Sequence, residues 1–449
     1  MKVHFIAVGG SAMHNLAIAL KKKGWDVSGS DDHFFEPSKS RLAKYNLLPC
    51  QEGWFPEKIT NKIDAVILGM HAKKDNPELI AALHMGLKIY SYPQFLYECT
   101  KSKTRVVVGG SHGKTTVTSM IMHVLKHNGI DFDYMAGALL KGFDTMVRLS
   151  ESSQIAIFEG DEYLSSPLDS RPKFLWYKPH ISVVTGIAWD HVNVFPTKDI
   201  YNYQFKLFIN SVPDNGTIFY YSGDTTVQDL ISHYDGKAKT VEYSGFDFYL
   251  SNGVVFVKVS DKAYPLPFFG DHNIENLAAA YKVCKLLGIG EEQFFAAIKT
   301  FEGAMRRLQV IKENKHGALF FDFAHAPSKV KAAVTAVKGR YPDRKLTAFL
   351  ELHTYSSLTA SFLKEYRGAV KKGDSVIIFY SPDVIKSKNL PPLSVDYVAD
   401  CFDIPVENVC TNAEFLRKIL LSVDIKKENL LVMSSGNVGG VKIEELFRD

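Results

Sequence analysis

Residues Val106 to Thr118 read VVVGGSHGKTTVT, and no other stretch of this 449-residue chain restricts the fold as tightly. A β-branched run suits a buried strand, two glycines stop it, and the segment restarts as a helix. Strand, tight loop and helix together form a phosphate cradle. Loop N–H groups and the helix N-terminus face the anion, Lys114 adds a point charge, and Thr115 brings a hydroxyl suited to Mg2+. The expected ligand is a nucleoside triphosphate, held by Gly110, Ser111, His112, Gly113, Lys114, Thr115 and Thr116. The usual pattern has a glycine five residues before Gly113, where this chain has Val108, so the loop is a shortened variant.

At this length one core is not enough, and about three domains of ordinary size are expected. The first hundred residues alternate apolar strands with amphipathic helices: Val3 to Val8, a Gly9-Gly10 turn, a helix to about Lys23, then Asp26 to Ser30. That is a βαβ opening, with Asp31 placed about twenty residues beyond the glycines, where a ribose-binding acid belongs. A full dinucleotide fingerprint would need glycine at Ser11 and His14, so a nucleoside diphosphate fits this crevice better than a nicotinamide or flavin dinucleotide. Asn76 followed by Pro77 reads as a helix cap.

A first boundary falls near residue 100. Beyond the phosphate loop, Gln154 to Phe158 forms a strand running into Glu159-Gly160-Asp161-Glu162, and Ile181 to Thr185 leads to Trp189-Asp190-His191. Acids and an imidazole at strand C-terminal ends, near Thr115, make a Mg2+ shell. Short alternating runs between 216 and 266 read as antiparallel hairpins. In Gly270-Asp271-His272-Asn273-Ile274-Glu275-Asn276, helix capping uses one polar residue and leaves the others for base or ribose recognition. A third βα unit follows Arg306-Arg307, with Asp322 at a strand end and a glycine-rich tail at Gly436, Gly439 and Gly440 that reads as a turn or an anion nest.

The balance of 53 basic and 49 acidic residues, without a basic block, argues against nucleic acid. The Lys21 to Lys23 triplet reads as a solvated helix end. Five scattered cysteines suggest neither zinc nor disulfides. No leader pattern or membrane-length apolar run is evident, and a cytoplasmic protein is expected.

Taken in order, Gly110-Ser111-His112-Gly113-Lys114-Thr115-Thr116, Asp161-Glu162, Asp190-His191, Gly270-x-His272-Asn273-x-x-Asn276, Arg306-Arg307 and Asp322-Phe323-Ala324-His325-x-Pro327 resemble the signatures of the Mur ligases over nearly the whole chain. Within that family the chain is most similar to the enzymes using UDP-N-acetylmuramate itself.

The resemblance implies an α/β fold of three domains: a Rossmann-like UDP-sugar domain at 1–100, a central P-loop ATPase domain with a mostly parallel sheet at 101–302, and a Rossmann-like closing domain at 303–449. It also implies an ATP- and Mg2+-dependent amide-bond ligase acting through an acyl phosphate. Lys114 would hold phosphates; Thr115, Glu162 and His191 would hold Mg2+, making Lys114, Glu162 and His191 the catalytic set. His272, Asn273 and Asn276 would face adenine, Arg307 phosphate and Asp322 ribose. Gly9, Gly10, Ser11, Ala12, Met13 and Asp31 would face the UDP moiety.

Two acceptors compete, L-alanine and the tripeptide L-alanyl-γ-D-glutamyl-meso-diaminopimelate. Asp161-Glu162-Tyr163 with Asp169-x-Arg171-x-Lys173-Phe174, and the glycine-rich tail, resemble the tripeptide branch; His353-Thr354-Tyr355-Ser356 resembles the alanine branch. Arg171, Lys173, His325 and His353 are the acceptor-side candidates, the first two as forks for carboxylates. Lys206, in the region where some relatives carry a carbamylated lysine, reads as a surface helix lysine. Lys114→Ala is expected to abolish ligation and leave the fold intact, as an exposed loop charge would.

Overall fold

The computed structural model describes residues 1–251, 253–303 and 306–443. The chain divides into two compact units. One gathers residues 1–187, 202–244 and 277–301; the other gathers 188–201, 245–276 and 302–449.

Two sheets lie in the first unit. The N-terminal one is wholly parallel, in the order Asp26–Ser30, Lys2–Ile6, Ala65–Leu68, Ile89–Ser91. Its first crossover is the helix Ser11–Lys22, whose residues Met13 to Leu20 are all buried. Asn76 caps the helix Pro77–His84 by accepting from the Glu78 and Leu79 amides at 3.0 and 3.1 Å, with Pro77 in the first turn. That cap answers the free N–H groups every helix start leaves.

The central sheet has seven strands, in the order Lys239–Tyr243, Thr217–Tyr221, Ile181–Val184, Thr104–Gly109, Ile155–Gly160, Asp133–Met135, Val147–Arg148. All its pairs are parallel except the last. Thr217–Tyr221 and Lys239–Tyr243 are therefore not the hairpin their alternation suggests. They are the two parallel strands at one side of this sheet, only partly buried, and short β-prone runs of this kind read alike in a parallel or an antiparallel setting. Thr104–Gly109 lies in the middle, and Val106, Val107 and Val108 are fully buried.

The Arg105 guanidinium fastens the segment leading into this strand. It donates to the carbonyls of Thr100, Lys101 and Lys103, and to those of Tyr177 and Lys178, at 2.8 to 3.2 Å.

In the second unit, a six-stranded sheet runs Gln309–Glu313, Ala318–Asp322, Asn429–Met433, Leu346–Leu352, Ser375–Tyr380, Val409–Cys410, with only the first pair antiparallel. Every residue of Leu346–Leu352 is buried, as a central strand covered on both faces requires. The unit also holds an antiparallel meander, Phe248–Ser251, Val254–Val259 and Lys262–Leu266, where the expected hairpins do occur. Among the described residues no helix is long and apolar enough to cross a membrane.

Candidate active site

The phosphate loop connects Thr104–Gly109 to the helix Lys114–His127. Its path is set by the neighbouring strand end: Ser111 donates to the Gly186 carbonyl at 2.8 Å, the Thr185 amide donates to Gly109 at 3.0 Å, and the Thr185 hydroxyl donates to His112. Gly110 has φ +141°, and a Cβ there would overlap the Thr185 hydroxyl, so no other residue fits.

Lys114 does not extend into solvent as its loop position suggested. Its side chain is 14% exposed and its ammonium pairs with Glu162 at 2.7 Å while also donating to the Gly110 carbonyl. Burial works against that charge, but the Glu162, Asp161 and Glu159 carboxylates outweigh it and hold the lysine above its ordinary pKa. The Thr115 hydroxyl donates to Glu159 at 2.8 Å, and the other Glu159 oxygen accepts from the Gly137 amide at 2.6 Å. A hydroxyl that donates to a carboxylate can still accept, so Thr115 is of the chemical type that binds a hard cation. Glu159 was not singled out from the sequence because it lies inside the strand Ile155–Gly160; its carboxylate was legible only as part of an acidic run.

Immediately after Glu162 the chain folds into a small hairpin, Leu164–Ser166 against Asp169–Pro172. Both cations expected to present forks are already engaged. Arg171 forms a two-pronged pair with Asp169 at 2.9 and 3.0 Å and lies 4.2 Å from the Trp176 ring centre, while Lys173 pairs with Asp161 at 2.5 Å. Arg171 and Lys173 therefore fix the hairpin beside Glu162. Lys206 is exposed on the helix Lys198–Asn210.

At the N-terminal sheet, the Gly9 amide donates to Asp31 at 2.6 Å, joining the glycine turn to the acid one strand over. Burial, then the neighbouring Asp32, push the Asp31 carboxyl up to about 6. Gly10 caps the helix Ser11–Lys22, so Ser11, Ala12 and Met13 form its first turn, with no acidic residue there to oppose an incoming diphosphate.

The second unit contributes the remaining candidates. His191 sits at φ +55° after Asp190, which is buried and accepts from the His191 amide at 2.7 Å and from Ser356 at 3.0 Å. His325 donates from Nδ1 to the Phe323 carbonyl at 2.8 Å, and its Nε2 lies 3.8 Å from Asp190. Burial, then the Lys329 charge, lower its pKa to about 3, so the ring is neutral. Burial likewise brings His272 down to about 4, and the Asn273 side chain donates to the Phe269 carbonyl at 2.8 Å as part of the helix start. Asn276 is buried on the same helix, Asp271–Leu286.

Asp322 accepts the Leu308 and Ala324 amides at 2.5 and 2.6 Å, which fixes the turn carrying Arg307; Arg307 itself lies 4.8 Å from the Phe323 ring centre. Burial raises the Asp322 pKa, with Arg307 opposing. The glycine-rich tail does form an anion nest, but the anion belongs to the protein. The buried Glu351 carboxylate accepts from Ser434 and from the Val438 and Gly439 amides at 2.9 and 3.0 Å. His353 lies close enough to Gly436 that a Cβ there would come within 2.7 Å of the imidazole.

Comparison with known proteins places this geometry in context. The Mur ligase middle domain matches residues 108–284, and the Mur ligase family catalytic domain matches residues 2–104. The UDP-N-acetylmuramate–L-alanine ligase of Caldicellulosiruptor bescii is 30% identical over 395 residues, covering 84% of this chain and 83% of that protein. The chain belongs to the Mur ligase family. Among solved structures, the UDP-N-acetylmuramate:L-alanyl-gamma-D-glutamyl-meso-diaminopimelate ligase of Neisseria meningitides is 26% identical with TM-score 0.62, covering 68% of this chain and 99% of that one. The UDP-N-acetylmuramate–alanine ligase of Thermotoga maritima is 18% identical with TM-score 0.72, covering 100% and 98%, and shares the fold. This Mur ligase is accordingly an ATP-dependent ligase with the three-domain α/β fold of its family.

Proposed function

We propose that this Mur ligase joins the carboxylate of UDP-N-acetylmuramate to the amine of L-alanyl-γ-D-glutamyl-meso-diaminopimelate. The γ-phosphoryl group of ATP passes to the carboxylate oxygen; the amine nitrogen then attacks the acyl carbon, phosphate leaves with that oxygen, and the amine gives up a proton. One observation carries the chemistry: Lys114 is paired with Glu162 while Thr115 is paired with Glu159, at the start of the helix that follows the glycine loop. Phosphoryl transfer asks for positioning and charge neutralisation, and these groups supply both.

Lys114 exchanges Glu162 for the β and γ phosphates when ATP enters. Thr115, Glu162 and His191 would hold Mg2+, with the Thr115 hydroxyl donating to Glu159. The oxygen-rich donor set fits that ion, which when bound neutralises the triphosphate and orients it. His272, Asn273 and Asn276 take the adenine, Arg307 a phosphate and Asp322 the ribose. Gly9 to Met13 and Asp31 take the UDP moiety, Asp31 being already bonded to the turn it would share with the ligand.

For the acceptor, support comes from the hairpin beside Glu162. Its Asp169-x-Arg171-x-Lys173 sequence resembles the tripeptide branch and is held rigid by two ion pairs. Arg171, Lys173, His325 and His353 remain the acceptor-side candidates of this reading. Free L-alanine is the second reading, favoured by the 30% identity to an enzyme named for that substrate. Purified protein given UDP-N-acetylmuramate, MgATP and each acceptor separately decides between them. A higher kcat/KM for the tripeptide is expected; preference for L-alanine overturns the acceptor, and phosphate release with neither overturns the ligase substrate.

A further inference from the structure

Asn15 is fully buried in the second turn of the helix Ser11–Lys22 and uses its entire hydrogen-bonding capacity. Its Nδ2 donates to the Ser11 carbonyl at 2.9 Å and faces His14 Nε2 at 3.0 Å; its Oδ1 accepts from Arg41 at 2.9 Å and from the Met146 amide at 3.0 Å. His14 in turn donates from Nδ1 to the Gly10 carbonyl at 2.9 Å, and Arg41 also donates to the Asp144 carbonyl at 3.0 Å. One amide thus grips the first turn after the glycine loop and the edge of the central sheet together.

The central-sheet end of this grip leads directly to the phosphate loop. Ala136 donates to the Met146 carbonyl at 2.9 Å, the next residue, Gly137, donates to Glu159 at 2.6 Å, and Glu159 accepts from Thr115 at 2.8 Å. A Cβ on Gly137 would fall 2.5 Å from a Glu159 oxygen, so backbone and carboxylate meet without slack. Every link is either a strand-edge bond or a saturated buried polar group, and such links resist displacement because an unmade one leaves a buried donor or acceptor unpaired.

We infer that Asn15 is a positioning residue for ligation, fixing the distance between the glycine loop at Gly9 to Met13 and the Thr115 side of the phosphate loop. The inference rests on the proposed binding of UDP-sugar at the first loop and MgATP at the second. A carboxylate carried on the UDP-sugar must reach the γ-phosphate, and that approach is set by where the first loop is held, not by how tightly it binds. Misplacement by about 1 Å costs on the order of a hundredfold in rate.

The test compares Asn15→Leu, Asn15→Asp and Arg41→Leu with the parent, measuring kcat, KM for ATP and the calorimetric Kd for UDP-N-acetylmuramate, all well below the melting temperature. Asn15→Leu is expected to lose about tenfold or more in kcat, with Kd for the UDP-sugar and KM for ATP changing by less than about threefold. Asn15→Asp keeps the acceptor for Met146 and Arg41 but sets its second oxygen against the Ser11 carbonyl and His14 Nε2, and is expected to recover kcat only in part. A folded Asn15→Leu with parental kcat overturns the inference, as does a loss confined to UDP-sugar affinity. If Asn15→Leu does not fold, Arg41→Leu decides: reduced kcat at unchanged affinities supports the role, and unchanged kcat overturns it. Failure of the parent to bind the UDP-sugar would instead reject the proposed function.

Discussion

Replacing Lys114 by alanine removes more than a catalytic charge. Glu162 is 1% exposed and Lys114 is its partner at 2.7 Å, so the variant leaves a carboxylate buried without its counter-ion. Breaking a buried pair from one side costs roughly 3–5 kcal/mol. Taking the lower end of that range gives about 3 kcal/mol. At roughly 2 °C per kcal/mol for a unit of this size, the first calorimetric transition should fall by about 6 °C in nucleotide-free protein.

The double variant Lys114→Met with Glu162→Gln removes both charges and should regain most of that loss, since replacing both partners of a buried pair is nearly neutral. Both variants should lack ligation, so stability and activity separate cleanly. The lysine's pKa is raised, so its stabilisation is complete at neutral pH and disappears only as pH rises through that raised value in the alkaline range. Scanning calorimetry at pH 7 is therefore a fair assay. A Lys114→Ala protein melting within about 1 °C of the parent would refute the reasoning.

Three further outcomes are expected. Glu162→Gln and His191→Ala should each raise the Mg2+ concentration needed for half-maximal phosphate release by about tenfold or more; unchanged Mg2+ dependence in both removes them from the metal shell. Asp31 keeps its proton longer folded than unfolded, so its own contribution to stability is lost as pH rises from about 4 to about 6, and the urea midpoint of the parent should fall relative to that of Asp31→Asn across this range; a constant difference between the two midpoints would contradict it. Arg105→Lys, which trades a fork bonding five carbonyls for a single ammonium, should lower the urea midpoint by the equivalent of about 2 kcal/mol, and an unchanged midpoint would deny the clamp its weight.

The phosphate loop, the βαβ opening and the Asn76 cap were legible because each is local: the residues that define the structure are neighbours in sequence. What stayed hidden depended on distance along the chain. Lys114 looked exposed because its partner, Glu162, lies 48 residues on. Arg171 and Lys173 looked available because nothing in a linear reading says that Asp169 and Asp161 face them. Asn15 read as one more polar residue in a helix, although the group it holds on the central sheet, Met146, is 131 residues away. Thr217–Tyr221 was misassigned for a different reason: a short β-prone run carries no sign of whether its partner runs parallel or antiparallel.

The strand order of the C-terminal sheet constrains how the protein can be made. Asn429–Met433, the last strand among the described residues, is inserted between Ala318–Asp322 and Leu346–Leu352, and the segment just after it closes over Glu351. Two largely apolar strands, Ala318–Asp322 and Leu346–Leu352, therefore lack their shared neighbour on the nascent chain until residue 433 has left the ribosome. The sheet of the second unit cannot be completed before that strand is made, and a chain stopped before residue 429 would leave it split down its middle rather than shortened at an edge.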